Sequence, residues 1–198
     1  LGAKEALPQI TALIQDTNPG VRWSAIRVLR QLGAKDAIPA ITGLLQDTDP
    51  TVRESAIDAL GGLDAKETIP AITKLLQDND PVVRSRAVSA LGKLGAKEAI
   101  PEITKLLQDN DHWIRWRTVY ALGQLGASQN VPELVRLLDD DDRDTRGITA
   151  IVLVELGAKD KVPAKSIADI KQFLEYSGDY PARARAALKE LGVSGSSK

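Results

Sequence analysis

The chain has 198 residues, 43% of them hydrophobic and 27% charged, with a formal net charge of −1. This is enough apolar material for a continuous core, and the near-neutral balance gives no bulk attraction to nucleic acid or to an anionic membrane. Cysteine is absent, which excludes disulfides, thiolate nucleophiles and cysteine-based metal sites. No apolar run approaches the roughly 20 residues of a membrane helix. With no secretory leader, a reducing cytoplasm is the expected compartment. The chain opens at Leu1 without a methionine, and the expectation is a monomer or a fragment of a longer chain.

Internal repetition organises the sequence. Leu1-Gly2-Ala3 starts a series that returns at Leu32, Leu63, Leu94, Leu125 and Leu156, 31 residues apart, with Asp64 replacing glycine once. Numbering each unit from that leucine gives six repeats, 1–31, 32–62, 63–93, 94–124, 125–155 and 156–191, in a single domain with a flexible tail at 192–198. Within a unit, a proline at position 8 (Pro8, Pro39, Pro70, Pro101, Pro132, Pro163) lacks an N–H and suits a first helical turn. A first helix is therefore predicted from about position 5. Its apolar stripe falls at positions 7, 10, 13 and 14, as in Ile100, Ile103, Leu106 and Leu107.

A turn such as Gln77 to Pro81 follows, with Asp80 placed as N-cap and Pro81 as the first residue of a second helix. The core positions of that helix are 21, 25, 26, 28 and 29, which in the third repeat are Val83, Ala87, Val88, Ala90 and Leu91. The Leu-Gly that ends it is a helix stop, since glycine accepts a left-handed backbone. Nothing reads as a strand. The sixth unit has four extra residues between Pro163 and Leu188 and carries Tyr180-Pro181 where the others have Val-Arg. Atypical terminal repeats act as caps with a polar outer face. The first unit shows no such change, so its outward side is expected to expose Leu7 and Ile10.

The pattern Asp-x-Asp-Pro-x-Val-Arg followed by Ala-x-x-Ala-Leu-Gly-x-Leu-Gly stands at Asp78 to Arg84 with Ala87 to Gly95, and nearly intact at Asp47 to Arg53. This resembles HEAT repeats of the short type named after phycobilisome lyases, shorter than the ordinary HEAT period of about 40–47 residues. The resemblance implies an all-α, right-handed α-solenoid of six two-helix repeats whose second helices line a concave binding surface. It also implies that Arg22, Arg53, Arg84, Arg115 and Arg146 form an inter-repeat ladder with Asp16, Asp47, Asp78, Asp109 and Asp140.

Chemistry-bearing residues are few. The acidic run Asp139, Asp140, Asp141, Asp142 and Asp144 lacks the sharp-turn glycine of a calcium loop and aligns with the ordinary inter-helix turn. His112 is the only histidine, so no two-histidine zinc site exists, and it occupies the place of a turn proline. No phosphate-binding glycine loop or nucleophile elbow is present. The expectation is no enzyme, no cofactor and no metal.

The aromatic residues carry the functional reading. At about 100° per residue, positions 20, 23, 24, 27 and 31 of the second helix point away from the core. In the second repeat these are Thr51, Glu54, Ser55, Asp58 and Gly62; in the fourth they are Trp113, Trp116, Arg117, Tyr120 and Gln124. Trp23 lies on the same side of the first unit with Arg27 beside it, and the family geometry would put Arg86 near Trp116. Trp, Tyr and Arg dominate interface hot spots. The expected partner-binding set is thus Trp113, Trp116, Arg117, Tyr120, Arg86, Trp23 and Arg27, on a protein- or peptide-binding scaffold centred on the fourth repeat. The alternatives are a bilin-lyase-like chromophore-handling factor and an engineered HEAT-like binder, with nucleic-acid binding disfavoured by charge.

Overall fold

A computed structural model of the chain describes residues 6–193. Among them are α-helices and short 3-10 turns, with no strand. The chain divides into two compact units, one ending at Glu102 and the other beginning at Ile103. In the first lie α1 (Leu7–Ala12), α2 (Pro19–Gln31), α3 (Ile38–Gly43), α4 (Pro50–Gly62), α5 (Ile69–Lys74) and α6 (Pro81–Leu94). Next along the chain is α7 (Ile100–Lys105), within which the boundary falls. The second unit continues with α8 (His112–Gln124), α9 (Val131–Arg136), α10 (Arg143–Glu155), α11 (Ser166–Gln172) and α12 (Tyr180–Glu190). The expected tail falls mostly on 194–198 and the opening Leu-Gly-Ala on 1–3, both outside the described residues.

The first helix of each repeat is more broken than the sequence pattern suggests. In the third repeat a 3-10 turn at Lys66–Thr68 precedes α5, and another at Leu75–Gln77 closes it. The proline at the second helical position sets this boundary: its ring clashes with the carbonyl four residues earlier, so regular α-structure begins just before it. The second helices begin as expected. Asp49, Asp80, Asp111 and Asp142 are N-caps whose carboxylates accept from the backbone N–H of the second or third helical residue. They end on a left-handed residue, Gly95 at φ 70° after α6 and, after α4, Asp64 at φ 55°, where a short polar side chain tolerates the geometry.

Within each unit the core lies between the first and second helices and between successive repeats. Val83, Ala87, Val88, Ala90 and Leu91 are all buried, as are Ile69 and Ile72 from the layer beneath. Repeat one differs at its outward side. Leu13 is 45% exposed whereas Leu44, at the same position one repeat later, is 8% exposed. Leu7 and Ile10 are half-buried, more covered than the expectation of open exposure.

The arginine ladder is present and its geometry repeats. Arg22 donates from Nε and Nη2 to both carboxylate oxygens of Asp47 at 2.8 and 2.7 Å, and from Nη1 to the Asp16 carbonyl at 2.9 Å. Arg53 does the same to Asp78 and the Asp47 carbonyl, and Arg115 to Asp140 and the Asp109 carbonyl. Each guanidinium thus ties its own inter-helix turn to the next. The aspartate also accepts the N–H two residues on, as Asp47 does from Asp49 at 2.9 Å. Burial alone would favour a neutral Asp47. The hydrogen bonds from Arg22 and the Asp49 N–H, with the charges of Arg22 and Arg53, outweigh it and hold the carboxyl below its usual range. Asp78 and Asp140 are lowered in the same way.

Candidate functional site

Helix α8 begins at Asp111, whose side chain caps the Trp113 N–H at 2.8 Å, and the cap fixes the rotation that aims Ile114, Val119 and Leu122 into the core. Trp113 then points outward and is 54% exposed, its ring 5.3 Å from that of His112. His112 is exposed at the helix start, as a turn residue should be.

Trp116 does not stand in water. Only 6% of it is exposed, which overturns the expectation drawn from the helical wheel. Its ring stacks on Tyr120 at 5.7 Å and 11° and meets Tyr180 of α12 at 5.6 Å. Its Nε1 is buried with no hydrogen-bond partner. Tyr120 is half-buried, donates to Asp179 at 3.1 Å, and lies under the Arg183 guanidinium at 4.5 Å. Arg117 is half-buried, 5.9 Å from the Trp116 ring. The wheel correctly gave the side of α8 on which Trp116 lies; what it could not give is that the terminal repeat covers that side.

Helix α10 shows how the covering is built. Gly147, Ile148 and Ile151 fill positions 23, 24 and 27 of the fifth repeat, the positions that are polar in the second, and all three are buried. Beyond Arg146 the helix is apolar on every side as far as Val154, and a helix segment of that kind is packed on every side. A Cβ on Gly147 would fall 2.5 Å from the Phe173 ring and 2.7 Å from the Asp169 carbonyl oxygen. The glycine therefore admits α11 and Phe173 directly onto the second-helix face.

Polar contacts tie the same cover down. Asp169 accepts from Arg143 and Arg146, Tyr176 donates to Asp144 at 2.8 Å, and Arg183 donates bidentately to Glu155, both at 2.7 Å. Burial, aided by the Asp144 carboxylate, pushes the Tyr176 phenol up to about 12. These residues went unread in the sequence, although an apolar triplet at positions 23, 24 and 27 was a visible sign.

The acidic run is occupied structurally. Asp140 holds Arg115, Asp141 also accepts from Arg115 at 2.7 Å, Asp142 caps the Thr145 N–H at 2.7 Å, and Asp139 pairs with Lys165. Among the described residues no group of three or more His, Cys, Asp or Glu side chains is arranged to hold a metal ion.

In the first unit Arg86 is not a free contact residue. Its Nε is 2.8 Å from Glu54, and Nη1 is 3.6 Å from Asp58. Trp23 is half-buried, with Arg27 stacked 5.4 Å from its ring centre. Helices α2, α4 and α6 otherwise present small and polar side chains on this side, including Ser24, Ser55, Ser85 and Ser89.

A family profile described as HEAT repeats matches residues 1–61, 42–117, 69–154 and 100–189. The chain belongs to the HEAT-repeat family. Among solved structures it is similar to a chain in the complex of CpcE and CpcF of phycocyanin lyase from Nostoc sp. PCC7120. The TM-score is 0.73 at 22% identity, over 94% of this chain and 76% of that one. A designed armadillo repeat protein in complex with the peptide (KR)4 matches at TM-score 0.60 and 20% identity, over 93% of this chain and 99% of that one. An engineered protein matches at 0.61 and 22%, over 94% and 96%. At these identities the likeness is one of fold, an all-α HEAT and armadillo solenoid. No curated protein matches the chain. Among the described residues no helix is long and apolar enough to cross a membrane.

Proposed function

We propose that this HEAT-repeat chain is a non-catalytic scaffold that takes a protein or peptide partner on its second-helix faces. In the second unit the contact set is Trp113, Arg117 and the outer edge of Tyr120, with Trp116 as the floor beneath them. In the first unit it is Trp23 and Arg27, while Arg86 organises the face between them and the third repeat. The observation that carries this reading is Trp113. A tryptophan 54% exposed leaves apolar area in water, and coverage would return about 25 cal/mol per Å². Backed by the Trp116 ring at 6.4 Å and open on its outer side, it has the make-up of a hot-spot anchor: a large ring on a rigid helix. A designed armadillo protein of this fold is in complex with a peptide, which supports a peptide as the class of partner.

The test is photo-crosslinking of the intact chain with the reactive side chain placed at Trp113 or Ser89, against placements at Lys74 and Lys105 on the first helices. Partner adducts should form from Trp113 and Ser89. Truncating a central interface aromatic costs at least about 2 kcal/mol of binding, so Trp113→Ala should weaken capture by roughly thirtyfold without moving the unfolding midpoint. Adducts confined to Lys74 and Lys105 would overturn the reading.

A further inference from the structure

The second-helix side of the first unit holds two cations that the fold does not use. Arg27 and Arg30 stand one helical turn apart on α2, both exposed, and among the described residues neither lies in an ion pair. Other charges on this side are spent on one another, as Arg86 is on Glu54 and Asp58. Both arginines are nevertheless positioned. Arg27 is stacked on Trp23 at 5.4 Å. The stem of Arg30 lies along Gly62, where an added Cβ would fall 3.0 Å from its Cδ. The arrangement departs from the repeat pattern, since position 30 is Gly61, Gly92 and Gly123 in the following units.

Shifted back by one repeat, the register that sets Arg86 beside Glu54 and Asp58 sets Ser55 beside Trp23 and Arg27. The cluster thus offers two unspent guanidinium groups, a hydroxyl and an indole surface. Guanidinium is the side chain suited to planar, bidentate recognition of carboxylates, and an indole takes an apolar neighbour. The cluster is also short. Glu54 and Asp58 of the next repeat are paired with Arg86, so the unspent positive charge is confined to the first repeat and reaches only a few carboxylates of a ligand.

We infer that Trp23, Arg27 and Arg30 bind an acidic peptide segment, its carboxylates on the two arginines and a flanking apolar side chain on Trp23. This rests on the scaffold reading above and names the chemistry of the partner in the first unit. The probe is a labelled octaglutamate peptide, followed by fluorescence anisotropy on the full chain, with octalysine and a single-stranded oligothymidylate of equal length as comparators.

Octaglutamate should bind, more weakly as salt is raised, and octalysine should not. Arg27→Glu with Arg30→Glu should weaken binding at least about tenfold while leaving the unfolding midpoint in place. Arg185→Glu, on the exposed side of α12, should change nothing. Absence of octaglutamate binding, or equal binding by the double variant, overturns the inference. So does tighter binding of oligothymidylate, which would assign the cluster to nucleic acid. Because the crosslinks at Trp113 are read separately, their persistence alongside a failed octaglutamate test removes this inference and spares the scaffold reading. Their loss removes the scaffold reading itself.

Discussion

Trp116→Ala separates a binding residue from a supporting one, and the structure sets the size of the effect. The side chain is 94% covered, pressed between Tyr120 and Tyr180, and removing a buried aromatic ring costs about 3–5 kcal/mol in lost burial and cavity. Part of this returns. Nε1 is buried without a partner, and relieving one unsatisfied donor is worth about 1–3 kcal/mol. A net loss of about 2 kcal/mol remains, which in a chain of this length lowers the midpoint by about 4–8 °C. Trp116→Phe keeps a ring against both tyrosines and removes the stranded N–H, so it should stay within about 1 kcal/mol of the parent. Trp113→Ala, at an exposed site, should stay within about 0.5 kcal/mol. Thermal unfolding followed by circular dichroism ranks the three. A midpoint for Trp116→Ala at or above that of Trp113→Ala would refute the buried assignment and return Trp116 to the exposed face.

The ladder predicts acid sensitivity. Asp47, Asp78 and Asp140 titrate below their unfolded values, so their stabilisation is complete above about pH 4 and is lost as pH falls through the folded value. Unfolding midpoints between pH 2 and pH 7 should drop on the acid side, and Arg53→Ala, costing about 1–3 kcal/mol near neutrality and toward the lower end because solvent screens part of the pair, should flatten that drop. Gly147→Ala should destabilise by about 1–3 kcal/mol or more, because its Cβ meets the Asp169 backbone. Gly62→Ala, which meets only the flexible Arg30 stem, should be neutral or stabilising by about 0.5–1 kcal/mol; equal denaturant midpoints would contradict the packing of α11 on α10. Leu44→Ala should cost about 2–5 kcal/mol and Leu13→Ala well under half as much, read from the same denaturation curves.

Much of the architecture was legible because it is local and periodic. Asp80 as N-cap, Pro81 as first helical residue and the left-handed Gly95 all follow from rules acting within one repeat, while the ladder of arginines and aspartates was implied by the family resemblance and is seen at Arg22, Arg53, Arg115 and Arg146. The broken first helix was missed because the apolar stripe at positions 7, 10, 13 and 14 is continuous across a backbone that changes from 3-10 to α and back. Hydrophobic spacing is insensitive to that change, whereas the proline is not.

The candidate site was legible only as a direction. A helical wheel assigns Trp113, Trp116 and Tyr120 to one side of α8, but exposure on that side is decided by whatever else the chain lays there, and this came from a repeat two units away. Tyr180 and Phe173 reach the face because Gly147 removes the side chain that would hold α11 off. Three tests of the same face then give three different answers. Trp113 is open, Trp116 is covered, and Ile148 and Ile151 are core. A face-level argument from periodicity treats these as equivalent. The difference between them lies in the composition of the neighbouring repeat at the same positions: where 23, 24 and 27 are polar the face meets water, as at Glu54, Ser55 and Asp58, and where they turn to Gly147, Ile148 and Ile151 the chain itself is the occupant. Reading those three positions together, repeat by repeat, distinguishes a surface kept for a partner from one already taken.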